Sequence, residues 1–493
     1  MPTVKHDALK ANQVALVACV QCPSKRESVF RRIITVIGDI MDTDSQVDSA
    51  IQNHSIPNFW TDAVFEEIEL IKEEFTDFEN RVDLREIPLI TIDGDRARDF
   101  DDAVYCVPKP QGGWRLIVAI ADVSYFVKTG SSIDMAAAER GNSVYFHTTV
   151  VAMLPEVLSN NLCSLLPGKD RFCLACEIHL NDTGEVIRYE FYEAIMNSRA
   201  RMTYSEVSEI LENRVDRLNE AIITPELSTL LHSLNRLCDL LLLRRKGRGA
   251  INFEPQETEM VLDSQGRIEE MRPVTRSRGH VIIEESMLCA NFCAAEFLQN
   301  RSIPTLYRVH LGPSEERLSP LREFLGGVGL SLSGGDYPTP FDYQNVLVAS
   351  KHRDDALIIQ SVLLKSMSRA CYQPNNEGHF GLNYSVYVHF TSPIRRYSDL
   401  LVHRAVKDAI RVSKDVCSGS DIDTHLSEHH LEPVSLVELG KSLSYSERRA
   451  DEAERQVTSW LKCEFLMDKI GDEVEGVVVG VQNFGLFIQI DEL

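Results

Sequence analysis

The stretch TIDGDRARDFDDAV, residues 91–104, carries five aspartates in fourteen positions and lies between two apolar runs, PLITID and DAVYCV. Those runs read as strands entering a core, so the acidic segment starts from the interior, where crowded like charges are costly. As one straight strand, residues 93–102 would span about 30 Å at ~3.3 Å per residue, and their carboxylates could not share a site. A turn at Gly94 is therefore expected to gather Asp93, Asp99, Asp101 and Asp102 in one pocket. Such a set must protonate in part or hold a counter-cation. Magnesium, with manganese as a second candidate, suits an oxygen-only donor set and leaves positions for water and a substrate phosphate. In a two-metal arrangement, ions ~3.5–4 Å apart support in-line phosphoryl displacement without a nucleophilic side chain. A calcium loop begun at Asp93 would need a differently placed glycine and a glutamate at its twelfth position, neither of which is present. A solvated acidic turn is the competing reading.

FTSPIRRYSDL, residues 390–400, points to a phosphate. Ser392 is expected as an N-cap and Pro393 as the first helical residue, which would leave unpaired N–H groups facing an anion. Arg395 and Arg396 would then stand in the first turn, where cations oppose the helix dipole unless they face a phosphate. An ordinary salt-bridged helix start is the alternative. Basic and aromatic residues also alternate in LRRKGRGAINFEP and RPVTRSRGH, and Tyr145 and Phe146 sit beside a turn in NSVYFHTTVVAMLP. Cations on phosphates and rings under bases hold single strands without sequence preference. Taken singly, each ring is more often a core residue.

The formal charge of −23 argues against a simple nucleic-acid binder, so local clusters must decide the partner. Twelve scattered cysteines favour a reducing cytoplasm. The Cys19/Cys22 and Cys173/Cys176 pairs lie in strand-like stretches, where residues three apart face opposite ways and cannot readily chelate one zinc. No membrane span or signal pattern is read. Residues 1–81 read as the end of a small β-domain plus a linker, 82–433 as one α+β domain, and 434–467 as a helical end or linker. Helical patterns are expected near 204–245, 279–300 and 355–371, and HFGLNYSVYVHF reads as an alternating strand. His425 and His429 read as a solvated pair in a polar loop. Residues 468–493 resemble the first strands of an OB-fold, with Phe484 and Phe487 as stacking aromatics. Both β-barrels would be partial, so the chain is expected to be shortened at both ends.

DLREIPLITIDGDRARDFDDAVYC, VAIADVSYFV, NSVYFHTTVVAMLPEVLSNNLCSL, IIEESMLCANFCAAEFL and HFTSPIRRYSDLLVHRAVK resemble the ribonuclease II/R (RNB) family, most of all its bacterial ribonuclease R branch, from about residue 12 onward. The resemblance implies an RNB catalytic domain, a mixed sheet surrounded by helices, between partial OB-fold segments. It also implies a processive hydrolytic 3′→5′ exoribonuclease that releases nucleoside 5′-monophosphates. Asp93, Asp99, Asp101 and Asp102 match the magnesium carboxylates, with Asp101 and Arg395 tied to catalysis. Tyr145 and Phe253 match the aromatic clamp, and Tyr204 with Glu284 or Glu285 the ribose-sensing residues. Arg396 is carried as a further RNA contact. The implied partner is single-stranded RNA with a free 3′ end, extending to structured RNA, and a cytoplasmic monomer is expected. Arg96, His147, Ser398 and Asn252 depart from the family pattern without removing a catalytic carboxylate. Two rivals remain: a non-catalytic RNA-binding protein on the same fold, and a small-molecule phosphoesterase.

Overall fold

The computed structural model describes residues 12–21, 30–71, 78, 80–212, 214, 224–253, 258–273, 276–418, 433–482 and 484–490. His425, His429 and Cys22 lie outside the described residues. At the centre is a seven-stranded mixed sheet made of β1 (Val82–Asp83), β2 (Ile90–Asp93), β3 (Asp102–Pro108), β4 (Trp114–Ala121), β5 (Asp170–Leu180), β6 (Val186–Asn197) and β7 (Ala200–Thr203). Its spatial order is β7-β2-β3-β4-β5-β6-β1. The β7–β2 and β6–β1 pairs are parallel and the rest antiparallel.

Both faces of the sheet are covered, which is why WRLIVAIA in β4 is a nearly unbroken apolar run rather than an alternating one. One face carries Ile92, Val104, Leu116, Val118 and Leu174 into a core shared with α1 (Pro225–Arg248), α2 (Arg278–Asn300) and α3 (Tyr397–Ser418). The other buries Ala103, Ile117, Ala119 and Ala175 beside Ile133, Leu158 and Leu400. Cys176 lies in the first core and Cys173 in the second, so this pair does face opposite ways along β5.

A 35-residue helix, α4 (Pro433–Met467), runs about 52 Å at 1.5 Å per residue. Leu436 and Leu443 enter the second core, while Ala453, Val457 and Leu461 pack with Val47 and Ile51 of the helix Thr43–Asn53. This segment is therefore packed along its length. Hairpins form at Gln13–Gln21/Phe30–Asp39 and Gly476–Gln482/Gly485–Ile490. On the second hairpin Phe484 and Phe487 are exposed. No described helix is long and apolar enough to cross a membrane.

Three local expectations change. HFGLNYSVYVHF forms no ladder: Val386, Val388 and Phe390 are buried, but its backbone is satisfied piecemeal, with Arg308 N–H donating to Tyr387 O and Phe390 N–H donating to Asn291 Oδ1. Alternating burial thus arose without strand partners. Ser392 is not an N-cap and Pro393 is not helical, because α3 begins only at Tyr397. Gly94 makes its turn without a positive φ, so the bend there does not require glycine.

Glycine is required at Gly113, in the β3–β4 turn, where φ is +76° and a Cβ would meet the Leu180 carbonyl oxygen at 2.2 Å. Gly113→Ala is expected to destabilise the fold by at least about 1–3 kcal/mol, read as a lower urea midpoint at unchanged slope. An unchanged midpoint would show that this turn relaxes freely.

Candidate active site

The acidic loop leaves β2 at Asp93 and re-enters the sheet at Asp102. Outside this span β2 and β3 share one register pair, Ile90 with Val104, beyond which the strands part and the chain can bulge outward. Several bonds hold the bulge. Arg201 on β7 donates through Nη2 to the carbonyls of Gly94 (2.8 Å) and Asp95 (2.9 Å). The Ser164 hydroxyl accepts from Phe100 N–H and donates to Arg98 O, and Ala121 N–H donates to Asp101 O. The loop is thereby fastened to β7, to residue 164 and to the end of β4.

The four aspartates differ in surroundings. Asp101 is 5% exposed, and its Oδ1 accepts from Ile394 N–H at 2.8 Å. Arg395 Nε stands 3.9 Å from its Oδ2, and the arginine side chain is about half exposed. Asp102 Oδ2 is buried with no hydrogen-bond partner. Asp93 accepts from Gly94 N–H, with the Tyr204 hydroxyl beside it, and Asp99 accepts from the Tyr145 hydroxyl at 3.1 Å. Burial pushes the Asp102 carboxyl up to about 7, with the charge of Asp93 adding to the rise and Arg395 opposing it. Burial likewise raises Asp101 and Asp93 above the ordinary value, against the opposing charge of Arg395.

The loop expected to offer free N–H groups uses them internally. Ile394 N–H serves Asp101, and Ser392 N–H serves Asp399. Arg396 is held by Asp399 through Nε (2.8 Å) and Nη2 (2.7 Å), leaving Arg395 as the outward cation of the pair. Ser143 N–H donates to Arg395 O, which ties the Tyr145 strand to the arginine loop.

Asp93, Asp99, Asp101, Asp102, Tyr145, Tyr204 and Arg395 are thus linked by direct bonds or by mutual charge. The remaining sequence candidates are engaged elsewhere. Phe253 packs in a separate cluster with Leu318, Tyr343 and Phe380. Arg245 Nη1 donates to both Glu284 (2.9 Å) and Glu285 (2.7 Å), and Arg276 also pairs with Glu284. Tyr204 stacks on His280 with ring centroids 3.8 Å apart. Phe146 is a core residue, and Arg272 and Arg278 pair with Glu270 and Asp239, so much of the basic pattern is neutralised locally. Arg201 and Asp399 were not anticipated. Each acts on residues remote in sequence or hidden in a turn, and no local pattern marks them.

Among the described residues no group of three or more His, Cys, Asp or Glu side chains is already drawn to metal-holding spacing. The donor set still fits a hard divalent cation: it is all oxygen, it includes the orphaned Asp102 Oδ2, and burial leaves its charges uncompensated.

Comparison with known proteins finds relatives of this chain. The RNB domain model matches residues 81–412. Ribonuclease R of Vibrio cholerae is 44% identical over 502 residues, covering 99% of this chain and 60% of that protein. The chain therefore spans about three fifths of that curated relative's length. The solved structure of Mycoplasma genitalium RNase R in complex with ribose-methylated single-stranded RNA superposes with a TM-score of 0.89 at 28% identity, covering 99% of this chain and 74% of that one. Yeast Ssd1, titled a pseudonuclease, shares the fold at a TM-score of 0.72 and 18% identity over 95% of this chain and 56% of that one, so the fold alone does not decide between hydrolysis and binding. A match over two thirds of the chain, carrying the buried aspartates and Arg395 within it, makes this chain a member of the RNB family to which ribonuclease R belongs.

Proposed function

We propose that the chain hydrolyses single-stranded RNA from its 3′ end, processively, to nucleoside 5′-monophosphates with magnesium, or manganese in its place. The observation that carries this reading is the acidic loop itself. Asp101 is buried and Asp102 half-buried beside a half-exposed arginine, and the buried Asp102 Oδ2 has no partner. A phosphodiesterase metal site requires that arrangement, whereas RNA binding alone does not. Ribonucleases of this family depend on a divalent metal, which when bound would activate water and stabilise the leaving oxygen.

This chain's own residues divide the remaining work. Asp93, Asp99, Asp101 and Asp102 would hold the cation, with Ile394 N–H fixing one Asp101 oxygen so that the other faces Arg395. Arg395 would bind the scissile phosphate and offset its developing charge. The Tyr145 hydroxyl is anchored on Asp99, so its ring is oriented, and at 38% exposure it is open to stack on a base. Phe253 is the proposed second jaw of that clamp. Tyr204 and Glu284 or Glu285 would read the ribose, whose 2′-hydroxyl distinguishes RNA from DNA.

A ladder from 5′-labelled RNA and DNA tests direction, sugar preference and clamp together. RNA is expected to shorten from its 3′ end with magnesium and not with EDTA, and DNA of the same sequence to be cut poorly. Tyr145→Ala is expected to change the length of the final oligonucleotide, since each base–aromatic stack is worth about 1–3 kcal/mol. Shortening from the 5′ end, equal cutting of DNA or an unchanged end-product would each contradict a named part of the proposal.

A further inference from the structure

A second cavity, of about 520 Å³, shares no lining residue with the acidic loop. Arg404, Lys407, Asp408 and Arg411, at i, i+3, i+4 and i+7 of α3, form one wall. Arg81, Glu193 and Lys128 line the rest, with the half-buried ring of Tyr125. Five cations thus meet two carboxylates here, in a chain whose acidic residues outnumber its basic ones by 74 to 51.

The cations are incompletely compensated. Arg404 is spent on Asp134. Arg81 and Lys407 share Asp122 beneath the cavity, and both also lean on Glu193, at 3.3 and 3.4 Å. Arg411 reaches the same Glu193 carboxylate only at 4.0 Å, and its side chain is 59% exposed. Among the described residues Lys128 has no carboxylate partner; its ammonium lies 5.0 Å from the Tyr125 ring centroid. Lys128 is exposed at the cavity's edge; partial desolvation and the neighbouring charges of Lys407, Arg411 and Arg81 lower its pKa, with Asp122 opposing, so an added anion would relieve the crowding. The volume lies in the range of small-ligand sites. A planar arginine fork beside a lysine point charge is chemistry matched to a phosphate dianion.

We propose that this cavity binds a phosphate dianion, with Lys128 and Arg411 as its principal contacts. Its source is either a nucleoside 5′-monophosphate or free phosphate. Asp122, which pairs with Lys407 of the cavity wall, directly follows Ala121, whose N–H donates to Asp101 O, so the two sites are anchored on the same strand end. The inference does not depend on the proposed hydrolysis.

Titration calorimetry of the 493-residue chain in metal-free buffer, with AMP, inorganic phosphate, adenosine and an RNA oligonucleotide as separate probes, tests it. One site for AMP is expected, weakened at least about tenfold by Lys128→Glu and by Arg411→Glu, and less by the alanine variants, at unchanged Tm. Arg395→Ala should leave that affinity within about threefold. AMP binding at least about tenfold tighter than phosphate assigns the cavity to the nucleotide, and equal binding assigns it to free phosphate. Adenosine binding as tightly as AMP, loss confined to Arg395→Ala, or no saturable AMP or phosphate site would overturn the proposal. So would an oligonucleotide affinity that falls as steeply as that of AMP, since the cavity would then be part of a backbone track.

Discussion

Asp101→Asn is expected to lower the hydrolytic rate by at least about 10³-fold, roughly 4 kcal/mol in barrier height, while leaving RNA affinity within a few-fold of wild type. The asparagine keeps an oxygen that can accept from Ile394 N–H, so the loop keeps its tie to the arginine turn. What disappears is one negative charge facing Arg395 and whatever cation the carboxylates hold. Removing that charge also lessens repulsion with Asp99 and Asp102 in a site where burial is the largest cost, so the melting temperature should hold or rise. The checks are the 5′-labelled ladder for rate, filter binding for affinity and a thermal melt for folding. Full activity would sink the assignment of Asp101, and loss of RNA binding with intact folding would mean that the residue serves the channel rather than the reaction.

The second large effect is on stability. Asp122 is 1% exposed and accepts from Arg81 (2.9 Å), Lys407 (2.6–2.7 Å) and Ser124 (2.9 Å). Asp122→Asn leaves two buried cations over the single Glu193 carboxylate, an uncompensated arrangement expected to cost about 3–5 kcal/mol in urea unfolding. Adding Lys407→Met should restore part of the loss, because the second change removes one stranded charge. Burial alone would raise the Asp122 carboxyl, but the charges and hydrogen bonds of Lys407 and Arg81 outweigh it and hold the group well below its usual 3.8. The folded protein therefore binds fewer protons here than the unfolded chain. This contribution is complete above about pH 4 and is lost as pH falls below it. Wild type should accordingly lose stability more steeply than Asp122→Asn on acidification below pH 4. Parallel acid limbs would show that the cluster does not govern acid unfolding.

The same two regions show how far the chain could be read before its structure was known. The acidic loop was legible because its charges are dense in sequence and its flanks are plainly strand-like. The arginine turn was half legible: Arg395 does face Asp101, but the helix supposed to position it starts at Tyr397, and the N–H groups offered to an anion go to Asp101 and Asp399 instead. A side chain seven residues ahead, Asp399, competed for the turn, and capping rules that weigh only neighbouring residues do not foresee it. Phe253 and the two glutamates read as site residues through resemblance; that Phe253 packs against the cluster of Leu318 and Tyr343, and that Arg245 holds both glutamates, are contacts no local pattern announces.

The sequence by itself determined that this chain has buried strands, long amphipathic helices and an oxygen-rich pocket in a loop between strands, because periodicity and charge density are local properties carried by consecutive residues. It also determined, through long ordered motifs, the family to which the chain belongs. Only the tertiary structure decided which cations face which carboxylates. Arg201 reaches the acidic loop across the parallel β7–β2 pair, Lys407 and Arg81 meet on Asp122 from opposite ends of the domain, and α4 closes onto the helix Thr43–Asn53. Electrostatic energy depends on distance and desolvation rather than on order along the chain, so those pairings, and the cavity they leave at Lys128 and Arg411, arise only when the sheet is assembled.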